Sequence, residues 1–236
     1  MRIVRETDQL YRLTRIGMVN HFLVKESDGT GTLIDTGLPG SAIAILRGAD
    51  QLAIPIARIL LTHAHTDHIG SFDALSEALP GVQSFIGATE APLLAGDFSV
   101  YGRKPDQRPF GFMKTRSHPK TTLEDGEMVG SLRTVFCPGH TPGHVAYLDT
   151  RDGSLIAGDS FTTQMGIVAT GVYKFYFPFP AWFPSNSSGA ARNARTLTAL
   201  RPSRLAVGHG RTIENPQGAM ERATRAASQQ AKQNPA

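Results

Sequence analysis

The chain has few of the features that mark secreted or membrane-bound proteins. Its 236 residues include one cysteine, Cys137, which excludes an internal disulfide and fits a reducing compartment. No apolar run approaches the length of a membrane span, and the mean hydropathy is −0.18. The opening residues MRIVRETDQLYRL are charged throughout and lack the apolar segment of a signal peptide. We therefore expect a cytoplasmic protein with no membrane association.

Charge is unevenly distributed along the chain. The net charge is +4, with 40% hydrophobic and 19% charged residues, a composition typical of globular rather than disordered proteins. Residues 97–120 alone carry the whole surplus, through Arg103, Lys104, Arg108, Lys114, Arg116 and Lys120 against Asp97 and Asp106. A solvated loop, or a rim that attracts anionic substrates, explains this segment better than a nucleic-acid interface does.

Short apolar segments alternate with turn signals and a few helical patterns. Helices are predicted from Ser71 as N-cap to a stop at Pro80, around 188–200 and at 216–232. Strands are predicted at 20–24, 31–37, 57–62, 82–88, 131–136, 144–150, 154–159 and 204–210.

One pattern occurs twice. The segment that starts at His21 reads HFLV, a DGTG turn and LIDTG, while the segment that starts at His144 reads HVAYL, an RDGS turn and LIAGD. Each predicts a β-hairpin with an aspartate near the end of its second strand. Because no Ser/Pro-rich linker separates the copies, we expect one domain, residues 1–236, made of two related halves.

The sequence LLTHAHTDHIG at 60–70 is the strongest functional signal. It places His63, His65, Asp67 and His68 within six positions, which is improbable for unrelated surface residues. On an extended backbone that leaves a strand, residues 63, 65 and 67 point to one side, whereas on a helix His63 and His65 would diverge. The motif therefore predicts metal ligation at a strand end.

The donor types and their number favour two adjacent ions. Imidazole and carboxylate without thiolate suit zinc, with iron or manganese as alternatives. Four such groups this close together do not fit comfortably around one tetrahedral ion. Further candidate ligands follow other predicted strands: His140 in CPGHTPGH, Asp159 in LIAGD and His209 in AVGHG.

Together, THAHTDH, GHTPGH, AGDS and VGHG resemble the metallo-β-lactamase superfamily, in its glyoxalase II and lactonase-like branch. The resemblance implies an α/β fold, a four-layer αββα sandwich with the metals at one edge of its sheets. It implies a first ion on His63, His65 and His140, a second on Asp67, His68 and His209, and Asp159 as the bridge. Asp35, in LIDTG, would orient the ligand loop.

The chain also departs from particular branches of that superfamily. Asp159 stands where class-one β-lactamases are expected to carry cysteine, which argues against that activity. Only 27 residues follow His209, which is short for the helical extension that grips glutathione in glyoxalase II. No large insertion of the nuclease type is visible.

Other residues receive more modest interpretations. His144 is predicted to be a hydrogen-bonding residue behind the ligands or a structural residue. His21 and His118 are interpreted as ordinary histidines, and Cys137 as a residue that packs or fills its loop rather than a nucleophile. The segment 172–184 holds seven of the 18 aromatic residues, interleaved with prolines, and is interpreted as an apolar wall or lid, with a homodimer contact as the alternative. Candidate substrate-binding residues there are Tyr173, Tyr176, Phe177 and Trp182.

We expect a dinuclear metal hydrolase that uses a metal-bridging hydroxide to cleave a carboxylic ester, lactone or thioester of a small acyl substrate. Asp67 and Asp159 are the candidate catalytic carboxylates. The main alternative is a mononuclear iron oxidoreductase acting on persulfides through His63, His140 and Asp159. A β-lactamase or a phosphodiesterase is a weaker alternative.

Overall fold

A computed structural model describes residues 1–101, 108–172 and 187–233. The chain divides into two compact units, Met1–Leu123 and Glu124–Ala236. Each unit contains its own sheet and helices, and the expectation of a single domain stays a prediction. Within the described residues, every helix is too short or too polar to cross a lipid bilayer.

The first unit is built on a seven-stranded mixed sheet. Its strands follow one another in chain order, antiparallel from the first to the fourth and parallel from the fourth to the seventh. The strands are β1 (Arg2–Arg5), β2 (Leu10–Arg15), β3 (Val19–Lys25), β4 (Gly31–Ile34), β5 (Ile56–Leu61), β6 (Gln83–Gly87) and β7 (Thr121–Leu123). The helices are α1 (Ala42–Gln51), α2 (Thr66–Ile69), α3 (Phe72–Ala78) and α4 (Ala91–Leu94).

An apolar core holds the strands and helices of this unit together. Leu23, Leu33 and Ile59 come from neighbouring strands and are fully buried in one apolar cluster with Ile45 of α1 and Phe72 of α3. Helices covering a parallel sheet require short βα and αβ connections at its ends, and the carboxyl ends of β4 and β5 lie side by side. This edge is where the His-rich motif begins.

The second unit has a six-stranded sheet and a two-stranded ribbon. The larger sheet has the order β15-β14-β11-β10-β9-β8, and only β11 and β14 run parallel. The strands are β8 (Met128–Val129), β9 (Leu132–Phe136), β10 (Val145–Asp149), β11 (Ser154–Ile156), β12 (Phe161–Thr162), β13 (Val168–Ala169), β14 (Arg204–Ala206) and β15 (Ile213–Glu214). Helices α5 (Ser187–Ala199) and α6 (Gln217–Gln233) pack together, with Leu197 and Met220 fully buried in the core of this unit.

Both predicted hairpins are present, as the antiparallel pairs β3–β4 and β10–β11. The predicted N-cap position of Ser71 is confirmed. Ser71 occupies the N-cap position of α3, but its hydroxyl makes no capping bond. It donates instead to the carbonyl of Leu38 and accepts the N–H of Ser41, so it ties two loops together.

Candidate metal centre

The His-rich motif lies where β5 ends and α2 begins. His65 is the N-cap of α2, in an extended conformation, and Asp67 and His68 lie inside this one-turn helix. The expected extended chain therefore holds for His65 but not for Asp67. The ring of His68 nevertheless lies 4.1 Å from that of His63, nearer than the 4.7 Å between the rings of His63 and His65, so the three imidazoles of the motif lie together.

Asp35 fixes the orientation of His68 and Thr62. It follows β4 with a φ of 61°, a strained conformation for a residue other than glycine. Its carboxylate accepts the backbone N–H and the hydroxyl of Thr62, both at 2.8 Å, and contacts Nδ1 of His68 at 2.7 Å. Because Nδ1 of His68 donates to a carboxylate, its Nε2 carries the lone pair that a metal ion would use.

Thr62 sets the tautomer of His63 in the same way. Its single hydroxyl proton is donated to Asp35, so its oxygen accepts from Nδ1 of His63 at 3.0 Å. This leaves Nε2 of His63 as the lone-pair atom, 3.0 Å from Nδ1 of His65. Two nitrogens bound to one tetrahedral zinc ion lie about 3.3 Å apart. The observed spacing is close to what a shared ion requires.

Glu90 supports the same loop through a contact that the sequence did not predict. Glu90 is fully buried at the start of α4, and its Oε2 accepts the backbone N–H of Ala64 at 2.8 Å. Ala64 lies between His63 and His65, so a buried carboxylate fixes the backbone that carries both. Its partner is a backbone group 26 residues away, and neither spacing nor composition signals such a contact.

In the second unit, Asp159 lies between two histidines. One carboxylate oxygen, Oδ2, is 3.5 Å from Nε2 of His140 and 3.3 Å from Nε2 of His209. All three side chains are buried, and each follows a strand: β9, β11 and β14. The backbone carbonyl of His209 accepts the N–H of Thr163 at 3.1 Å and the hydroxyl of Thr162 at 3.0 Å, which holds the loop after β14.

The imidazole of His144 contacts the backbone of Asp159. Its Nε2 accepts the backbone N–H of Asp159 at 3.1 Å, and its Nδ1 is 3.1 Å from Sγ of Cys137. Burial raises the pKa of the Cys137 thiol to about 12. The thiol therefore stays protonated at neutral pH, which agrees with the expected structural role and argues against a nucleophile.

The residues of both units fit divalent metal ions. The donors are imidazole nitrogens and carboxylate oxygens, the set that zinc, iron and manganese accept. Two of the imidazoles, His63 and His68, have their non-ligating nitrogen held by a hydroxyl or a carboxylate, as metal-binding histidines usually do.

Two sequence predictions fall partly or wholly outside the described residues. Tyr173, Tyr176, Phe177 and Trp182, the candidate substrate-binding residues, lie outside them. In the basic segment, Arg103 and Lys104 also lie outside. Arg116 pairs with Glu77 at 2.7 Å and with Asp73 at 3.6 Å, so part of that surplus charge is neutralised locally. The homodimer and the absence of a nucleic-acid partner stay predictions.

His21 is buried more tightly than its interpretation as an ordinary histidine suggested. It lies in β3 with no exposed surface, and within the described part of the chain neither ring nitrogen has a hydrogen-bond partner. Burial, with smaller contributions from the charges of His68 and Arg15, lowers its pKa from 6.5 to about 3. The folded protein therefore keeps His21 neutral at pH values where the unfolded chain protonates it.

This difference makes the protein sensitive to acid. The contribution of buried, neutral His21 to the free energy of unfolding is complete above pH 6.5. It is lost as the pH falls from 6.5 towards 3, because the unfolded state then binds the extra proton. At about pH 5 the loss is about 2 kcal/mol relative to about pH 8. We expect His21→Gln to reduce the acid-induced loss of unfolding free energy by about that amount. Urea unfolding at both pH values, in chelator, measures it.

The matched control is His118→Gln, at an exposed site of the same unit. This variant is expected to lose as much stability between the two pH values as the unmodified protein does. An unchanged acid dependence in His21→Gln would show that the burial of His21 does not govern its protonation.

Comparison with known proteins gives the family of this chain. Residues 14–209 match the Metallo-beta-lactamase superfamily. The protein YobT of Bacillus subtilis is 43% identical over 208 residues, which cover 87% of this chain and 88% of YobT. Hydroxyacylglutathione hydrolase of Gloeobacter violaceus is 30% identical over 147 residues, 60% of this chain and 48% of that enzyme, so the match spans about half of it.

A solved structure agrees with the sequence matches. The crystal structure of TTHA1623 in a di-iron-bound form has a TM-score of 0.64 and 26% identity, and the match covers 87% of this chain and 94% of that one. This similarity confirms the predicted α/β class and the metallo-β-lactamase fold. Members of the superfamily bind divalent metals and are typically hydrolases. The chain belongs to the metallo-β-lactamase superfamily.

Proposed function

We propose that the chain is a dinuclear metal-dependent hydrolase that cleaves a carboxylic ester, lactone or thioester of a small acyl substrate. In this proposal His63, His65 and His140 would hold one ion and Asp67, His68 and His209 the other, and Asp159 would serve both.

The position of Asp159 carries the proposal. Its Oδ2 atom lies within 3.5 Å of imidazole nitrogens on two different loops. A carboxylate oxygen in that position suits a ligand common to two ions, each with its own histidine. The di-iron-bound form of TTHA1623 supports a two-metal site in a similar protein.

Each supporting residue has a defined task in this proposal. When bound, two divalent ions supply a nucleophile at neutral pH by lowering the pKa of water, and they polarise the substrate carbonyl. Asp35 and Thr62 hold His68 and His63 in the tautomers that present Nε2. Glu90 fixes the backbone between His63 and His65. The side chain of Asp67 is 29% exposed, so its carboxylate has room to orient the attacking water.

The class of bond is supported by one of the relatives. The similarity to hydroxyacylglutathione hydrolase favours acyl chemistry, which covers thioesters and the closely related esters and lactones. The match leaves about half of that enzyme without a counterpart in this chain. An acyl substrate in general is therefore better supported than a glutathione thioester in particular. Zinc is the proposed ion, and iron is the alternative.

The first experiment is elemental analysis of protein purified without chelator and without a histidine tag, followed by assays with lactones, esters, thioesters and β-lactams. Two ions per chain, together with hydrolysis of an acyl substrate, would support the proposal. One iron per chain with oxygen uptake on persulfides would replace it with the oxidoreductase. Hydrolysis of β-lactams alone would retain the metal site and change the substrate class.

Phe110 is the described residue best placed to contact an apolar acyl group. Its side chain is 91% exposed. The carbonyl of the next residue, Gly111, accepts the N–H of Thr66 at 2.7 Å and its hydroxyl at 2.9 Å, and the ring of Phe112 lies 4.5 Å from that of His65. The loop that carries Phe110 is thus attached directly to the His-rich motif.

We expect Phe110→Ala to raise KM about five- to tenfold for substrates with a long apolar acyl group, with kcat nearly unchanged. The loss corresponds to about 1 to 1.5 kcal/mol of apolar contact. Acetyl substrates should show little change. The control is Ile43→Ala, which removes an apolar side chain 68% exposed on α1 of the same unit. Equal KM values for Phe110→Ala and the unmodified enzyme would remove Phe110 from the substrate site.

A further inference from the structure

The hydrogen bonds of His144 define which of its nitrogens carries the proton. The ring is fully buried, and its Nε2 lies 3.1 Å from the backbone nitrogen of Asp159. A backbone N–H only donates, so Nε2 must present a lone pair to it. The ring proton of the neutral imidazole is therefore on Nδ1.

The proton on Nδ1 has two acceptors within reach. Sγ of Cys137 lies 3.1 Å from Nδ1, and Oγ of Ser160 lies 3.4 Å from it. The hydroxyl of Ser160 itself donates to Sγ at 3.3 Å. The oxygen of that hydroxyl can still accept, but the sulfur is the nearer of the two acceptors to Nδ1, so Cys137 is the main partner of the ring proton. All three groups are buried.

This network connects two of the loops that carry proposed ligands. Cys137 follows β9 and stands three residues before His140, while Asp159 follows β11. The His144 ring joins the sulfur of the first loop to the backbone of the second. The amide that it holds belongs to the residue whose carboxylate contacts both His140 and His209.

We propose that His144 is a positioning residue for Asp159, locked by Cys137 in the Nδ1-protonated form, and that this lock sets the affinity for metal. The inference rests on the proposed function, because it assigns the network to the metal site. A tilt of the Asp159 backbone displaces the carboxylate from both histidines at once. Residues behind metal ligands typically contribute about ten- to a hundredfold to affinity.

Two features separate this role from simple packing. The bond to the Asp159 amide needs an acceptor at the Nε2 position, and the bond to Cys137 needs a donor at the Nδ1 position. Glutamine places an amide oxygen near the Nε2 position, so it can keep the first bond, whereas alanine keeps neither. Leucine is close to glutamine in size but has no acceptor, so a residue that only filled space would tolerate leucine and glutamine equally. For a positioning residue, His144→Leu should bind zinc about as weakly as His144→Ala.

The test is zinc affinity, measured by competition with a chromophoric chelator. We expect His144→Ala to bind zinc about ten- to a hundredfold more weakly than the unmodified protein, and His144→Gln to recover most of that loss. The control is Thr198→Val, which removes buried hydrogen bonds to Ala194 and Thr224 in the same unit and should leave the affinity unchanged. Unchanged affinity in His144→Ala, or an equal loss in Thr198→Val, would overturn the proposal.

The tautomer provides a second readout that does not depend on metal or on any variant. Nitrogen-15 NMR of the imidazole groups should show His144 protonated on Nδ1, and Cys137→Ala should weaken that preference. Protonation of His144 on Nε2 in the unmodified protein would contradict the hydrogen-bond assignment. If the unmodified protein binds no zinc, the proposed function and the positioning role both fail. If it binds two ions but the variants do not show the expected zinc affinities, only the positioning role fails.

Discussion

Replacing Asp159 by asparagine is expected to reduce the metal content from the two ions per chain that we propose to one or fewer, and to lower kcat/KM by about a thousandfold. Asparagine keeps the shape of the side chain but removes the negative charge that two cations would share. The buried Oδ2 contacts imidazole nitrogens of both His140 and His209, so one substitution weakens both sites. A thousandfold corresponds to about 4 kcal/mol of lost transition-state stabilisation, a reasonable value for a ligand that serves two ions.

The measurement pairs elemental analysis with the rate on the best acyl substrate. Asp149→Asn is the matched control, because Asp149 is also a buried carboxylate of the second unit and is bound by Arg151 at 2.6 Å. This variant is expected to lose stability while retaining its metal. Two ions and a native rate in Asp159→Asn would show that Asp159 is not shared between ions, and a metal loss as large in Asp149→Asn would point to general unfolding.

The sequence could place the metal-site candidates on the fold because they follow strands in short, unusual motifs, and their roles as ligands stay predictions. His63, His65, His140, Asp159 and His209 all follow β-strands whose apolar runs are plain in the sequence. Within each unit, the candidates that the motifs predicted to be neighbours do lie in contact. Strand ends converge at a sheet edge, so local sequence is enough to bring such side chains together.

The supporting residues were harder to predict because their partners are distant in sequence and lack a pattern. Thr62 acts through its hydroxyl, and Glu90 acts by accepting one backbone N–H. Residue type alone does not distinguish them from the other threonines and glutamates of the chain. The missed helix α1 is a different case. Ala42, Ile45 and Ala49 are buried on one face at helical spacing, a signal that was present in the sequence but was not interpreted.

The strands β1 and β2 were missed for a third reason. Their charged residues led to the interpretation of the opening segment as polar, although β2 buries Leu10 and Leu13. The strand pairs with β3 over six residues, and the partner rather than the segment itself determines its conformation.

Gly70→Ala is expected to destabilise the protein by about 3 kcal/mol or more and to weaken metal binding as well. Gly70 follows α2 and packs against the loop after β4. A β-carbon there would lie 2.5 Å from the backbone nitrogen of Pro39 and 2.5 Å from the carbonyl oxygen of Thr66. These are backbone atoms, so no side chain can rotate away, and relief requires α2 to move.

That movement links stability to the proposed site. Asp67 and His68 lie on α2, and the carbonyl of His68 accepts the N–H and the hydroxyl of Thr36, at 2.6 Å and 2.9 Å. A shift of α2 would disturb those bonds together with the contact between His68 and Asp35. We therefore expect added zinc to stabilise Gly70→Ala less than it stabilises the unmodified protein, because the stabilisation by a bound ligand rises with the logarithm of its affinity.

Gly218→Ala is the control. Gly218 lies in α6, and the nearest atom to a β-carbon there is the flexible end of the Arg222 side chain, at 3.6 Å. Alanine should be neutral or stabilising there, by up to about 1 kcal/mol. Urea unfolding with and without zinc distinguishes the two variants. If Gly70→Ala unfolds at the same urea concentration as Gly218→Ala under both conditions, the close approach of α2 to Pro39 does not hold the metal-binding loop in place.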